Sequence, residues 1–462
     1  MSLRRLVPGI AVLAVLLLSF FYGFLAARAD LPPAGTLKRI AAAMREHDFF
    51  LISVLDRAGG SDRKGRQVAG ARGHWGRATG GDDADPEGGV GDDEIERLRA
   101  IGYLGAEEEA PEGSGVVVHD RNRADDSLLL YTSGHAPMAA ILDRDGNVLH
   151  AWRRSFEDAF PGVPAPLDQP SFHYFRKAWL YDDGSLLIIF EGKALLKLDK
   201  DSNILWAHRN GAHHDFHVSP NGEILVLTRE AHVNPAWNEK RPVLEDYVSV
   251  LDAQGEELRR ISLLEAVQRS PYAGLLDYAP PAGDILHTNT LEILDGRMES
   301  RSPLLRTGSA VVSFNRINVV GVVDLEKPEL TWAIAGLTSR NHDPTFLENG
   351  NLLLFDNSGG TDGHSRVLEI DPFTQELVWS YDGDEENGFF SECCGTNHRL
   401  PNGNTLITET GAGRVIEVTP HREIVWEFLN PHRGGENGEL IAYIPEMLPL
   451  PKDQPLDWLN RE

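Results

Sequence analysis

The sequence predicts an all-β protein: a six-bladed β-propeller preceded by an N-terminal transmembrane helix and a flexible tether. Three observations carry this. A strand–turn–strand phrase, most often ending in Trp, recurs six times; an Asn-Gly or Asp-Gly hairpin precedes it in four copies; and the copies are spaced by about 35–55 residues, the range of propeller repeats.

The chain has 462 residues, 41% of them apolar and 25% charged, so it can bury a core and is not disordered throughout. Its 44 Lys and Arg against 70 Asp and Glu leave a net charge of −26. That field repels phosphate and argues against nucleic acid as a partner. Two cysteines in so long a chain exclude a disulfide framework and a four-thiolate zinc site.

Arg4 and Arg5 precede an uncharged, mainly apolar run from Leu6 to Ala27, long enough to cross a bilayer. Residues 1–29 read as a signal anchor, with its transmembrane helix over about residues 6–27. Ala27-Arg28-Ala29 also resembles a cleavage site, so a signal peptide is the competing reading, although its apolar region would normally be about 7–15 residues. Either reading puts the rest of the chain on the periplasmic side of the inner membrane. Residues 30–114 follow as a juxtamembrane helix, over Thr36 to Leu55, and a Gly/Asp-rich linker. Between Gly59 and Gly91, eleven of 33 residues are glycine, and ordering them would bury almost nothing.

Residues 115–462 read as the propeller. The backs of the six repeats are Ile141 to Trp152, Leu196 to Trp206, Val250 to Leu258, Val323 to Trp332, Ile370 to Trp379 and Val418 to Trp426. The fronts carry hairpins at Asp182 to Leu187, Pro220 to Leu225, Glu348 to Leu353 and Pro401 to Leu406, where both turn residues tolerate positive φ. The units fall near residues 116–152, 171–208, 213–264, 284–336, 341–383 and 396–431. A stacked solenoid is the competing architecture, but solenoid repeats are usually shorter or helical. Residues 442–450 are placed to return to the first blade and close the ring.

The strand before each first hairpin is the innermost of its blade. His214 and His342 lie eight residues before Gly222 and Gly350, each followed by Asp, while His217 and His398 lie five before Gly222 and Gly403. His287 holds a related place in the stretch from Asp284 to Asn289. Equivalent blade positions converge on the axis, so four blades can point imidazoles into one pocket. His213, His232, His364 and His421 read as structural. Neutral imidazoles with His-Asp pairs could hold a divalent metal. With arginine they could instead bind a tetrahedral oxyanion, one imidazole attacking. Arg366 and Arg414, which open third strands, are candidate anion clamps.

His213 to Gly222, Asp284 to Asn289, Asn341 to Pro344 with Leu353 to Asn357, Ser365 to Glu369 and Arg399 to Ile407, in this order over roughly residues 115–450, resemble the bacterial arylsulfotransferase family. The resemblance implies a six-bladed propeller that moves sulfuryl from an aryl sulfate to a phenol, independently of PAPS, through a sulfohistidine. It implies no cofactor and no metal. Among axial histidines and an arginine, it points to His398 as the catalytic nucleophile and to His214, His287, His342, Asn289 and Arg366 as substrate-binding residues. The arginine phrase near the fourth blade is altered, from Val312 to Arg316.

Cys393 and Cys394 are adjacent, so a bridge between them would be strained, their Cα atoms being only about 3.8 Å apart. Such a pair also suits a quinoprotein-like dehydrogenase that stacks a quinone on a vicinal disulfide. Six blades and His-rich entry strands argue against that reading. A non-catalytic extracytoplasmic binding module is the third.

Overall fold

Short strands that are apolar on both faces need a sheet on either side, and a closed ring of sheets supplies one everywhere. In the computed structural model, which describes residues 75–76, 111–360, 363–383, 388–434 and 438–460, six such sheets surround one axis. The expected anchor, the juxtamembrane helix and nearly all of the linker lie outside the described residues. Among the described residues no helix is long and apolar enough to cross a membrane.

From blade 1 to blade 6 the innermost strands are Met447–Pro449, Lys177–Leu180, Ala212–Val218, Thr288–Ile293, Asn341–Phe346 and Thr396–Arg399. Three further antiparallel strands follow in each blade, and blades 3 and 6 each gain a fifth strand, Gly283–Asp284 and Gly115–His119. Of the seven apolar clusters among the described residues, six accordingly lie between neighbouring blades, and a small seventh joins Tyr174, Cys394 and Tyr443. In Leu186–Phe190, for example, Leu186, Ile188 and Phe190 pack towards blade 1, and Leu187 and Ile189 towards blade 3.

The first unit differs from the sequence expectation. Gly115–His119 does not enter blade 1 but adds a fifth, outer strand to blade 6, against Ile424–Leu429. The inner strand of blade 1 is the returning segment Met447–Pro449, paired with Leu129–Tyr131. Both chain ends of the ring thus finish a neighbour's sheet, and Leu129–Thr132 is not left as the edge strand of blade 1. The hairpins also differ in detail. Gly222 N–H donates to Ser219 O and Ser219 N–H to Glu223 O, a three-residue loop in which only the glycine is left-handed, at φ 87°. Asn221 keeps negative φ there, as in a type I turn followed by a left-handed glycine.

The repeated Trp is a seam between blades. Trp152 Nε1 donates to Gly184 O in the first hairpin of blade 2, while Trp206 donates to Ala253 O, Trp379 to Pro420 O and Trp426 to Arg144 O, carbonyls in the outer turn of the next blade. Blade 3, whose phrase ends in Leu258, uses Arg259 Nη1 to Leu325 O instead. An indole suits the seam because its body fills the apolar interface while its N–H meets a buried carbonyl. Trp426, fully buried where blade 6 meets blade 1, is stacked on Phe428 and lies under the Arg144 guanidinium. Trp426→Ala is expected to destabilise the propeller by about 3–5 kcal/mol, read as a lower midpoint in chemical denaturation.

Candidate active site

The inner strands of blades 3, 4 and 5 each lose register just past their first histidine: between Ala212 and Phe216, Thr288 and Leu291, and His342 and Thr345. His214, His287 and Asp343 sit there with φ of 51°, 52° and 49°. Such conformations cost non-glycine residues about 1–3 kcal/mol each and are typical of sites where geometry serves function. The bulge separates the two members of each His-Asp pair. Asp215 Oδ2 accepts from Leu291 N of blade 4, and Asp343 Oδ2 from Asn397 N of blade 6, so the aspartates stitch inner strands together.

The histidines gather on one level. The His214 and His287 rings are 5.3 Å apart, and His287 also bears electrostatically on His342. Arg176, buried at the entry of blade 2, acts electrostatically on both His214 and His342. Its Nε is 3.6 Å from Glu191 Oε2 and its Nη1 donates to Pro445 O. Burial, with Arg176 and the neighbouring imidazoles, holds His214 well below the usual histidine range. Burial and then His287 hold His342 at about 3. Cys394 adjoins the same level: the Cys393 thiol's hydrogen bond lowers it to about 7 against burial, with help from Arg176 and His287. The two cysteines are unbridged.

Hydrogen bonds fix the protons of two imidazoles. Asn357 Nδ2 donates to Ser391 O and Cys394 O, at 2.8 and 2.7 Å, which turns Oδ1 towards His342. His342 Nδ1 meets two acceptors, Asn357 Oδ1 at 2.6 Å and Arg340 O at 3.0 Å. It therefore carries the proton, leaving the lone pair on Nε2. His287 Nδ1 is 2.7 Å from Asp284 Oδ2. Although buried, Asp284 is drawn down to about 2 by His287 and by Arg316, 3.9 Å away, and so stays ionised. Asp246 behaves oppositely: burial and the charge of Asp284 raise it to about 7.

Several expected residues stand elsewhere. Asn289 is buried in the seam to blade 5, donating to Asn341 O. Arg366 pairs with Asp356 at 2.8 Å and reaches Leu337 O, and Arg414 pairs with Glu409 and Glu427. His398 belongs to a different polar group. Burial lowers it to about 4, and its charged neighbours are Glu446, Lys177 and Asp215. Lys177 bridges Asp215 and Glu446 at 2.8 and 3.0 Å. The cause lies in the offsets: positions eight and five before the hairpin glycine are three residues apart, roughly 10 Å along a strand.

Two site residues are not found by reading histidines alone. Arg176 lies eight residues before Gly184, the offset of His214 and His342, so the same count applied to every residue type finds it. His213, read from sequence as structural, is buried with its Nδ1 2.9 Å from His214 Nδ1. Its only sequence signal is adjacency to His214.

His398 also gives a stability test. Its folded-state value is depressed below the unfolded 6.5, so the contribution of neutral His398 is complete above pH 6.5 and is lost as pH falls towards 4. Wild type is expected to lose stability relative to His398→Gln over that window, measured by denaturation at stepped pH.

The model of the arylsulfotransferase (ASST) family matches residues 177–431, which span these histidines and five of the six blades. The chain belongs to that family. No protein of curated function is similar to it in sequence. Among solved structures, a Bacteroides caccae protein of unknown function is 14% identical, covering 70% of this chain and 98% of its own, with a TM-score of 0.44. A streptogramin B lyase is 14% identical, covering 74% and 93%, with a TM-score of 0.40. Virginiamycin B lyase from Staphylococcus aureus is 13% identical, covering 73% and 97%, with a TM-score of 0.39. These likenesses are too distant to bear on the site of this arylsulfotransferase-family chain.

Proposed function

We propose that the protein transfers sulfuryl from an aryl sulfate to a phenol through a sulfohistidine, and that His342 is the nucleophile. The observation that carries this is the tautomer of His342: neutral, with Nδ1–H spent on Asn357 and Arg340 O and the Nε2 lone pair left for attack. His214, His287 and Arg176 surround the place where sulfuryl oxygens would sit.

In the first half-reaction, Nε2 of His342 forms a bond to sulfur as the sulfur–oxygen bond to the aryl group breaks. The phenolate leaves with the bonding pair and takes a proton from His287, whose Nδ1 is held by Asp284. Arg176 offsets charge on the sulfuryl oxygens as it grows. In the second half-reaction an acceptor phenol gives its proton to His287 and its oxygen attacks sulfur. The nitrogen–sulfur bond breaks and neutral His342 returns. The two rings have different partners: an amide oxygen at His342 Nδ1 and a carboxylate oxygen at His287 Nδ1.

Anchorage in the inner membrane by residues 6–27, with the propeller on the periplasmic side, completes the proposal and rests on the sequence of the leader. A donor that is itself a sulfate ester suits a compartment without soluble nucleotide donors. Purified protein mixed with an aryl sulfate and a second phenol should exchange sulfuryl with ping-pong kinetics. Absence of exchange across a panel of donors and acceptors would overturn the activity.

A further inference from the structure

Behind His214 lies a second constellation, in which sulfuryl transfer uses His214 alone. Glu191, His213 and His214 are all buried, at 0%, 1% and 3% exposure. One ligand atom from each lies within 4.8 Å of the other two. His213 Nδ1 and His214 Nδ1 are 2.9 Å apart, and Glu191 Oε1 is 3.6 Å from His214 Nδ1. Tetrahedral zinc, with bonds of about 2.0–2.1 Å, sets its ligands roughly 3.3 Å from one another, between these two separations.

We propose that Glu191 Oε1, His213 Nδ1 and His214 Nδ1 form a binding site for one zinc-class dication. Two imidazoles and a carboxylate are the donor set such ions favour. The carboxylate is already orientated: Glu191 Oε2 accepts from His214 N at 3.1 Å and faces Arg176, while Oε1 makes no hydrogen bond. The far side of His213 completes the pattern. Its Nε2 lies 3.6 Å from Asp246 Oδ1, and Asp246 is itself held by Thr288 N at 2.7 Å. A carboxylate behind a metal-bound imidazole is the usual second support of a histidine ligand. Arg176 and Arg229 bring positive charge close by, which the ionised Asp284 offsets.

Coordination through Nδ1 leaves each ring its Nε2–H. Resting on the proposed function, this makes His214 a fixed donor to a sulfuryl oxygen, and the ion a positioning element behind it rather than a participant in bond exchange.

The full chain, purified without chelator and dialysed against metal-free buffer, should retain about one zinc per chain by elemental analysis. Glu191→Gln and His213→Gln should each weaken zinc binding at least about tenfold, Asp246→Asn by about 10–100-fold, while His398→Gln should keep it. Zinc-edge X-ray absorption of the wild type, which does not depend on variants folding, should show two imidazole nitrogens and a carboxylate oxygen at about 2.0–2.1 Å. Failure to take up zinc at 100-fold excess (on the order of 0.1–1 mM) would overturn the site. So would sulfur ligation from Cys393 or Cys394, leaving a hydrogen bond shared between the two imidazoles. Metal content is read without sulfuryl transfer, so this result and that of the exchange assay fail separately.

Discussion

His342→Asn is expected to lower kcat/KM for the proposed sulfuryl transfer by at least about 10⁴-fold, the scale of removing a covalent nucleophile, and His398→Gln to change it by less than about tenfold. The contrast follows from geometry. His342 has its Nδ1 proton held by two acceptors, one of them an amide whose own orientation is set by two carbonyls. His398 lies with Lys177, Asp215 and Glu446, three strand positions further along. The same account fixes a pH dependence. In the proposed mechanism neutral His342 attacks, and since burial keeps it near 3, acid is expected not to remove the nucleophile until well below pH 5. Steady-state kinetics of both variants, with the acid limb of kcat/KM for wild type, checks the two statements together.

Arg176→Gln lowers kcat/KM by about 10²–10³-fold, as expected for losing a charge aimed at developing oxyanions in a buried site. It is also expected to cost about 3–5 kcal/mol of stability, since Glu191 loses its counter-charge and stays buried. Arg176→Lys should recover stability better than activity, because an ammonium cannot reproduce both the Glu191 contact and the hydrogen bond to Pro445 O. Comparing thermal midpoints with kinetics across the two variants separates the effects.

The blades are legible in the sequence because each repeat carries local signals that tertiary structure does not override: a left-handed glycine in the hairpin and a Trp whose N–H needs the next blade's turn. The closing of the ring is only half legible. Nothing local in Gly115–His119 distinguishes an outer strand of blade 6 from an inner strand of blade 1, since both are short apolar strands. The site follows the same division. His214, His287 and His342 converge because their strand positions are equivalent. Arg176 obeys the same count but is the wrong residue type for a search on histidine. His398 has the same residue type at a different offset, which puts it with Lys177, Asp215 and Glu446. Arg366 opens a third strand and is taken up by Asp356, a pairing that spacing along the chain does not reveal.

The central claim is that imidazoles from blades 3, 4 and 5 share one cavity in which His342 becomes sulfated. Protein treated with an aryl sulfate in the absence of acceptor, quenched under alkaline conditions and digested, gives the most direct test by peptide mass mapping. One sulfuryl group on His342, discharged when a phenol is added, is the predicted result. A sulfuryl group on His398, or donor cleavage with no labelled imidazole at all, would contradict it.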